Sequence, residues 1–142
     1  MPLQVEIVTP DRRAYQGAAD GVTLPTALGE VGILPGHIPL TAVIAAGEVA
    51  VTLGGKVTRL AVDQGFVRVV GDKVSVVTEA ALDVAKIDLA AAEQAEARAR
   101  QALEEAKGSR DPDPEGLLRL EQQLRFAAIQ RMAKGRSSSS AD

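Results

Sequence analysis

The chain has 142 residues, no cysteine and a formal net charge of −3. That length suits one ordinary domain or a small domain with an appendage, and the missing thiols exclude disulfides, thiolate zinc sites and a cysteine nucleophile. Hydrophobic residues make up 46% but aromatics only 2%, so a core must be built from Val, Ile, Leu and Ala; the mild charge and lack of stacking platforms speak against a nucleic-acid binder.

From Leu3 to about Ala81 the dominant hydrophobic period is two. Leu3, Val5 and Ile7 alternate with Gln4 and Glu6, the pattern of a half-buried strand. The same opening segment, MPLQVEIVTPDRR, lacks the continuous apolar run of a signal peptide. No window approaches about 18 uninterrupted apolar residues, so membrane association is expected only through partners.

Between the early strands lies ALGEVGILPGHIPL, Ala27 to Leu40. Its prolines fix φ and its glycines allow tight turns, so it reads as a stiff loop poor in chemistry. Glu30 and His37 are its only titratable side chains. A metal site at His37 would need further ligands, and the chain has no second His or any Cys to complete a familiar set.

The runs EVAVTL, VTRLAV, FVRVV and VSVVT follow, rich in the β-branched residues that suit pleated sheet. Gly54–Gly55 and Gly71–Asp72 separate pairs of these runs as two-residue hairpin turns. Asp63 and Asp72 could in principle pair as acid and base, but they fall where strand ends and turns are expected. No nucleophile–base pair or phosphate loop supports a free-standing hydrolase.

After Asp83 the period changes. KIDLAAAEQAEARARQALEEAKG is rich in strong helix formers, with Asp88 as its start cap and Gly108 at its end. Ala85, Leu89, Ala92, Ala95, Ala99, Ala102 and Ala106 recur at steps of three and four, along one face. Pro112 and Pro114 break that helix and restart another, whose stripe is Leu117, Leu120, Leu124, Ala127 or Ala128, and Met132. The polar end, 136–142, is expected to be disordered. The expected fold is therefore β + α: an N-terminal antiparallel β-sandwich or barrel over 1–84, then an antiparallel two-helix hairpin over 85–135.

Several blocks in this order resemble the epsilon subunit of the F-type ATP synthase of bacteria and chloroplasts. They are VTPDRRAYQG, then Gly29, Gly32, Ile33, Leu34, Pro35, Gly36, His37, Pro39 and Leu40, then VSVVTEAA, the Ala-rich hairpin and QLR at 123–125. Two departures stand out. Gln64–Gly65 replaces the family's frequent Gly-Gly pair, and Ile87-Asp88-Leu89-Ala90-Ala91-Ala92 retains only Ile87 and Asp88 of an ATP-binding motif, with Ala91 in the arginine's place.

The resemblance implies a non-catalytic central-stalk subunit without a cofactor, linking proton-driven rotation of the c-ring through the gamma subunit to ATP synthesis on the catalytic subunits. It implies a peripheral place on the cytoplasmic side of a bacterial cell (inner) membrane. Gly29, Glu30, Gly32, Pro35, Gly36, His37 and Pro39 would form the loop facing ring and gamma. The hairpin would restrain ATP hydrolysis by extending towards the alpha and beta subunits, with Arg119, Arg125, Arg131 and Lys134 as its basic contacts. The rival reading is a stand-alone ATP-sensing module of the same fold, against which the missing arginine counts.

Overall fold

The computed structural model describes the backbone of residues 2–139 and the side chains of residues 2–136. Alternation in the first part of the chain yields ten strands: β1 (Leu3–Val8), β2 (Arg13–Ala19), β3 (Gly21–Thr26), β4 (Gly29–Ile33), β5 (Leu40–Ile44), β6 (Gly47–Leu53), β7 (Lys56–Val62), β8 (Gly65–Val70), β9 (Lys73–Thr78) and β10 (Ala81–Asp83). They hydrogen-bond in the order β10-β7-β6-β3-β5-β8-β9-β1-β2, with β4 paired to β3 off that path. The curled sheet nearly closes into a barrel. Arg12 fastens the two ends by donating from Nη2 to the Ala81 carbonyl at 2.5 Å.

One face of the sheet turns inward. Leu3, Ile7, Leu24, Ile33, Ile44, Val49, Val62, Val67, Val69 and Val74 are all 0% exposed. The two-residue turns fall where glycines predicted them. Leu53 pairs with Lys56 across Gly54–Gly55, both at positive φ (59° and 80°), and Val70 pairs with Lys73 across Gly71–Asp72.

Two expectations about the sheet need correction. The sheet is not wholly antiparallel, because β1 runs parallel to β9; seven other strands lie between them along the chain, so no tight turn dictates their relative direction. The expected loop over Ala27–Leu40 also contains a strand. Gly29–Ile33 forms β4 and pairs antiparallel with β3, Val22 opposite Ile33 and Thr26 opposite Gly29.

The chain divides into two units, the first ending at Lys86 and the second beginning at Ile87. A 3-10 turn, Val84–Lys86, ends the first unit. It takes up Ala85, which is exposed and stands outside the helix whose stripe it was expected to start.

The second unit consists of α1 (Leu89–Lys107) and α2 (Pro114–Ser139). Asp88 caps α1 by accepting the Ala91 N–H at 3.2 Å, and Gly108 closes it, its N–H reaching the Ala106 and Glu104 carbonyls. The α2 backbone is helical through Ser139, so 136–139 continue the helix instead of starting a disordered tail; residues 140–142 of that tail lie outside the described residues. On α2 the stripe ends differently from expectation. Ala133 is buried at 0% exposure while Met132 is 48% exposed.

Candidate functional site

The block from Gly29 to Pro39 does not form one surface. Thr26 locks a hairpin tip at Ala27–Leu28, its hydroxyl donating to the Gly29 carbonyl at 2.6 Å and accepting the Leu28 N–H at 3.3 Å. Leu28 is fully exposed at that tip, and Glu30 is exposed beside it opposite Pro25.

The chain then runs along β4 to the other end of the sheet, about 14 Å away at the rise of an extended strand. There Leu34-Pro35-Gly36-His37 makes a turn in which the His37 N–H donates to the Leu34 carbonyl at 3.1 Å. Proline at the second position and Gly36 at φ 85° satisfy a type II turn, whose third residue needs positive φ. The Asp72 carboxylate accepts the Gly36 N–H at 3.3 Å, tying this turn to the β8–β9 turn.

His37 Nδ1 lies 2.6 Å from the Ile38 carbonyl. A carbonyl only accepts, so Nδ1 carries a proton there. Among the described residues no group of three His, Asp or Glu is placed to hold a metal ion. Glu30 and Gly29 thus stand at one end of β4, and Pro35, Gly36, His37 and Pro39 beyond the other, with Gly32 between.

Asp63 and Asp72 are separated in the same way. Asp63, 2% exposed, follows β7 and accepts the Gln64 N–H at 2.8 Å, whereas Asp72 lies in the turn at the far end of β8. They cannot act as a pair.

The outer face of the sheet carries an apolar row that alternation alone did not single out. Val43, Phe66 and Val77 lie opposite one another across β5, β8 and β9 and are 52%, 61% and 55% exposed. The three form a contiguous apolar strip on the outer face and are not scattered single residues.

In the helical unit, Asp88 spends its carboxylate on the α1 cap and Ile87 is buried. Neither lines the groove of about 440 Å³ between α1 and α2, which is bordered by Arg98, Gln123, Phe126 and Gln130 over alanines 95, 99, 102 and 127.

The four basic residues expected to make the contacts of α2 do not share a face. At about 100° per residue, Arg119, Arg125 and Arg131 each stand about 120° from the next around the helix. Arg131 is engaged: its Nε donates to Glu96 Oε2, and its Nη2 to Oε1 at 3.4 Å. Arg100 Nη2 reaches the same Oε1 at 3.2 Å. The hydrogen bond from Arg131 holds the Glu96 carboxyl below its ordinary range and the guanidinium above its own.

Glu96 was missed in sequence because a charged residue is normally assigned to the solvated face. The available signal was its spacing. The buried positions of α1 are Ala92, Glu96, Ala99 and Leu103, steps of four, three and four, so Glu96 and Leu103 join the seam and are buried more deeply than the expected Ala95 and Ala102, which are half-buried beside the groove.

Magnitudes show why this pair matters. A buried methyl contributes about 0.8 kcal/mol and a buried leucine about 1.5–3, while a hydrogen bond to a charged group contributes about 1.5–3 kcal/mol. The seam offers mostly methyl groups, and the Glu96–Arg131 pair adds a charged link to them, discounted by solvent because the Arg131 side chain is 41% exposed.

Comparison with known proteins adds the following. Residues 2–84 match the family model described as ATP synthase, Delta/Epsilon chain, beta-sandwich domain. The chain is 44% identical over 105 residues to the ATP synthase epsilon chain of Halalkalibacterium halodurans, covering 74% of this chain and 79% of that one. It is 35% identical over 135 residues to the ATP synthase epsilon chain of Geotalea daltonii, covering 95% of each, so that likeness takes in the helices as well. Among solved structures, a chain of the Euglena gracilis mitochondrial ATP synthase, OSCP/F1/c-ring in rotational state 1, superposes with a TM-score of 0.65 at 26% identity, covering 93% of this chain and 81% of that one. A chain of the Tetrahymena thermophila mitochondrial ATP synthase central stalk and c-ring shares the fold, with a TM-score of 0.56 at 14% identity, covering 94% of this chain and 97% of that one.

Proposed function

The chain belongs to the ATP synthase delta/epsilon family as a non-catalytic epsilon subunit, and from that premise we propose how its two units divide the work. The β unit is the rotor's foot. It seats on the c-ring through the hairpin tip that carries Leu28 and Glu30, and on the gamma subunit through the apolar row of Val43, Phe66 and Val77. The single observation that carries this reading is the tip itself, where a fully exposed leucine stands on a hairpin locked by Thr26.

Because β4 separates Glu30 from His37, the two belong to different contacts. The turn at Pro35–His37, braced by Asp72, keeps the far end of the sheet rigid under torque. Glu30 contributes modestly at the ring, about 0–1 kcal/mol for an exposed charge. The subunit is held at the membrane sector by its partners. Among the described residues no helix is long and apolar enough to cross a membrane.

The helical unit acts as a brake on ATP hydrolysis, opening and extending towards the alpha and beta subunits. Cations placed all around α2 suit a rod surrounded by acidic partner surfaces better than one laid on a single face. Truncation after Ala85 in the assembled complex is the test: ATPase activity should rise, and an unchanged rate would remove the brake while leaving the foot. Copurification on a tagged chain should recover gamma and the catalytic subunits; their absence would end the rotor assignment.

A further inference from the structure

Glu96 is the one charged residue among the buried positions of α1, and its carboxylate serves two guanidinium groups of different standing. Arg131 comes from the other helix, 35 residues along the chain, and approaches as a fork, with Nε on one carboxylate oxygen and Nη2 on the other. Arg100 comes from the same helix, one turn on, and touches a single oxygen. The apolar positions of the same seam are small, with Ala92 and Ala99 buried on α1 and Ala127 on α2.

We propose that Glu96 is the latch that keeps the helical hairpin closed and Arg131 engaged, and that Arg100 is a resident counter-ion that allows the latch to release. The proposal rests on the reading that the hairpin opens.

The physical case turns on what each state leaves unpaired. Removing one partner of a buried ion pair is costly because the other charge is stranded. When the helices part, Arg131 becomes solvated or meets a partner's carboxylates. Glu96 is not stranded, because a pair at i and i+4 on one helix survives without the second helix. Arg100 acts in the closed state too. Two cations on one carboxylate repel each other and share its charge, so Arg100 weakens the hold on Arg131. Alanine packing cannot be switched in this way, since apolar contact offers no competing partner. The latch therefore predicts substitutions of opposite sign within one cluster.

The test uses the full-length chain, which contains no cysteine, with spin labels on cysteines introduced at the exposed positions Gln94 and Met132. Pulsed electron paramagnetic resonance then reports the closed and open separations. Glu96→Gln, nearly isosteric, should raise the open population about tenfold, from the loss of a charge-assisted hydrogen bond. Arg131→Gln should do the same, and the double variant should add little. Arg131→Lys, which keeps the charge but not the fork, should fall between. Arg100→Gln should lower the open population. Helical circular dichroism checks that each variant folds.

Unchanged separations in Glu96→Gln and Arg131→Gln would overturn the latch, and an increase in Arg100→Gln would overturn the counter-ion role. The same variants assayed for ATPase in the assembled complex separate this idea from the brake: a shifted separation with unaltered ATPase would sink the brake and leave the latch standing.

Discussion

Gly65 begins the middle one of the three strands that carry the outer apolar row, paired with Ile44 on one side and Thr78 on the other. A Cβ placed there would lie 1.9 Å from the Val77 carbonyl oxygen, 2.8 Å from Thr78 Cα and 2.9 Å from the Val77 carbonyl carbon. All three are backbone atoms, so no flexible side chain can move aside, and relief requires β8 and β9 to separate at a point where both are hydrogen-bonded. Overpacking of this kind costs about 1–3 kcal/mol where side chains can yield, and more where they cannot. For a unit of this size each kcal/mol lowers the melting temperature by about 4–8 °C. Gly65→Ala should therefore lower the β-unit transition by roughly 10 °C or more in scanning calorimetry of the full chain. Gly32→Ala is the control, because nothing lies within 4 Å of its added Cβ and an exposed strand position should shift stability by no more than about 0.5 kcal/mol. Equal melting temperatures for the two variants would show that the strand spacing yields easily, and the account of Gly65 would fail.

Two further outcomes follow from the helical unit. Asp88→Ala removes the carboxylate that accepts the Ala91 N–H and should cost about 1 kcal/mol of α1 stability, read as earlier loss of helical signal on heating; Asp88→Asn, which keeps an acceptor, should restore most of it. The hairpin should also loosen in acid. Arg131 and Arg100 face Glu96, with Glu93 near Arg131, and the Arg131 hydrogen bond depresses the Glu96 carboxyl below its ordinary 4.5. A depressed carboxyl adds stability above its unfolded value and loses it as pH falls through the folded one. Helix separation should thus be flat near neutral pH and increase only below about 4.5, and Glu96→Gln should abolish that dependence; loosening that begins near pH 6–7 would contradict it.

The legible parts of this fold were those written in local chemistry. Val49 and Val51, the Gly54–Gly55 turn, the Asp88 cap and the break at Pro112 and Pro114 each announce themselves within a few residues. What stayed hidden depends on distant partners. Strand β4 contains Gly29 and Gly32, poor strand formers by themselves, and exists because β3 supplies its hydrogen bonds. Its presence splits what read as a single functional loop into two ends of the sheet. The parallel pairing of β1 with β9 joins segments nearly seventy residues apart in sequence. Glu96 looked solvated until Arg131 supplied the reason for its burial. The burial of Ala133 beside the more hydrophobic, 48% exposed Met132 was likewise not written in local sequence.

The difference between the two units is one of composition before it is one of shape. The β unit buries Val, Ile and Leu, each contributing about 1.5–3 kcal/mol, and closes its sheet on itself, so deforming it exposes large side chains and backbone groups at once. That suits a part that must keep its form while it transmits force. The helices bury mainly methyl groups and hold one another through a carboxylate and a guanidinium. Apolar area responds to little that a neighbouring protein can offer, whereas an arginine responds to any carboxylate. Acidic groups on a partner would present to Arg131 the same chemistry that Glu96 presents, so opening exchanges one ion pair for another at little net cost in charge. A ligand shifts an equilibrium only by its differential affinity for the two states. In the opening proposed above, the release of Arg131 from Glu96 would give an acidic partner that difference.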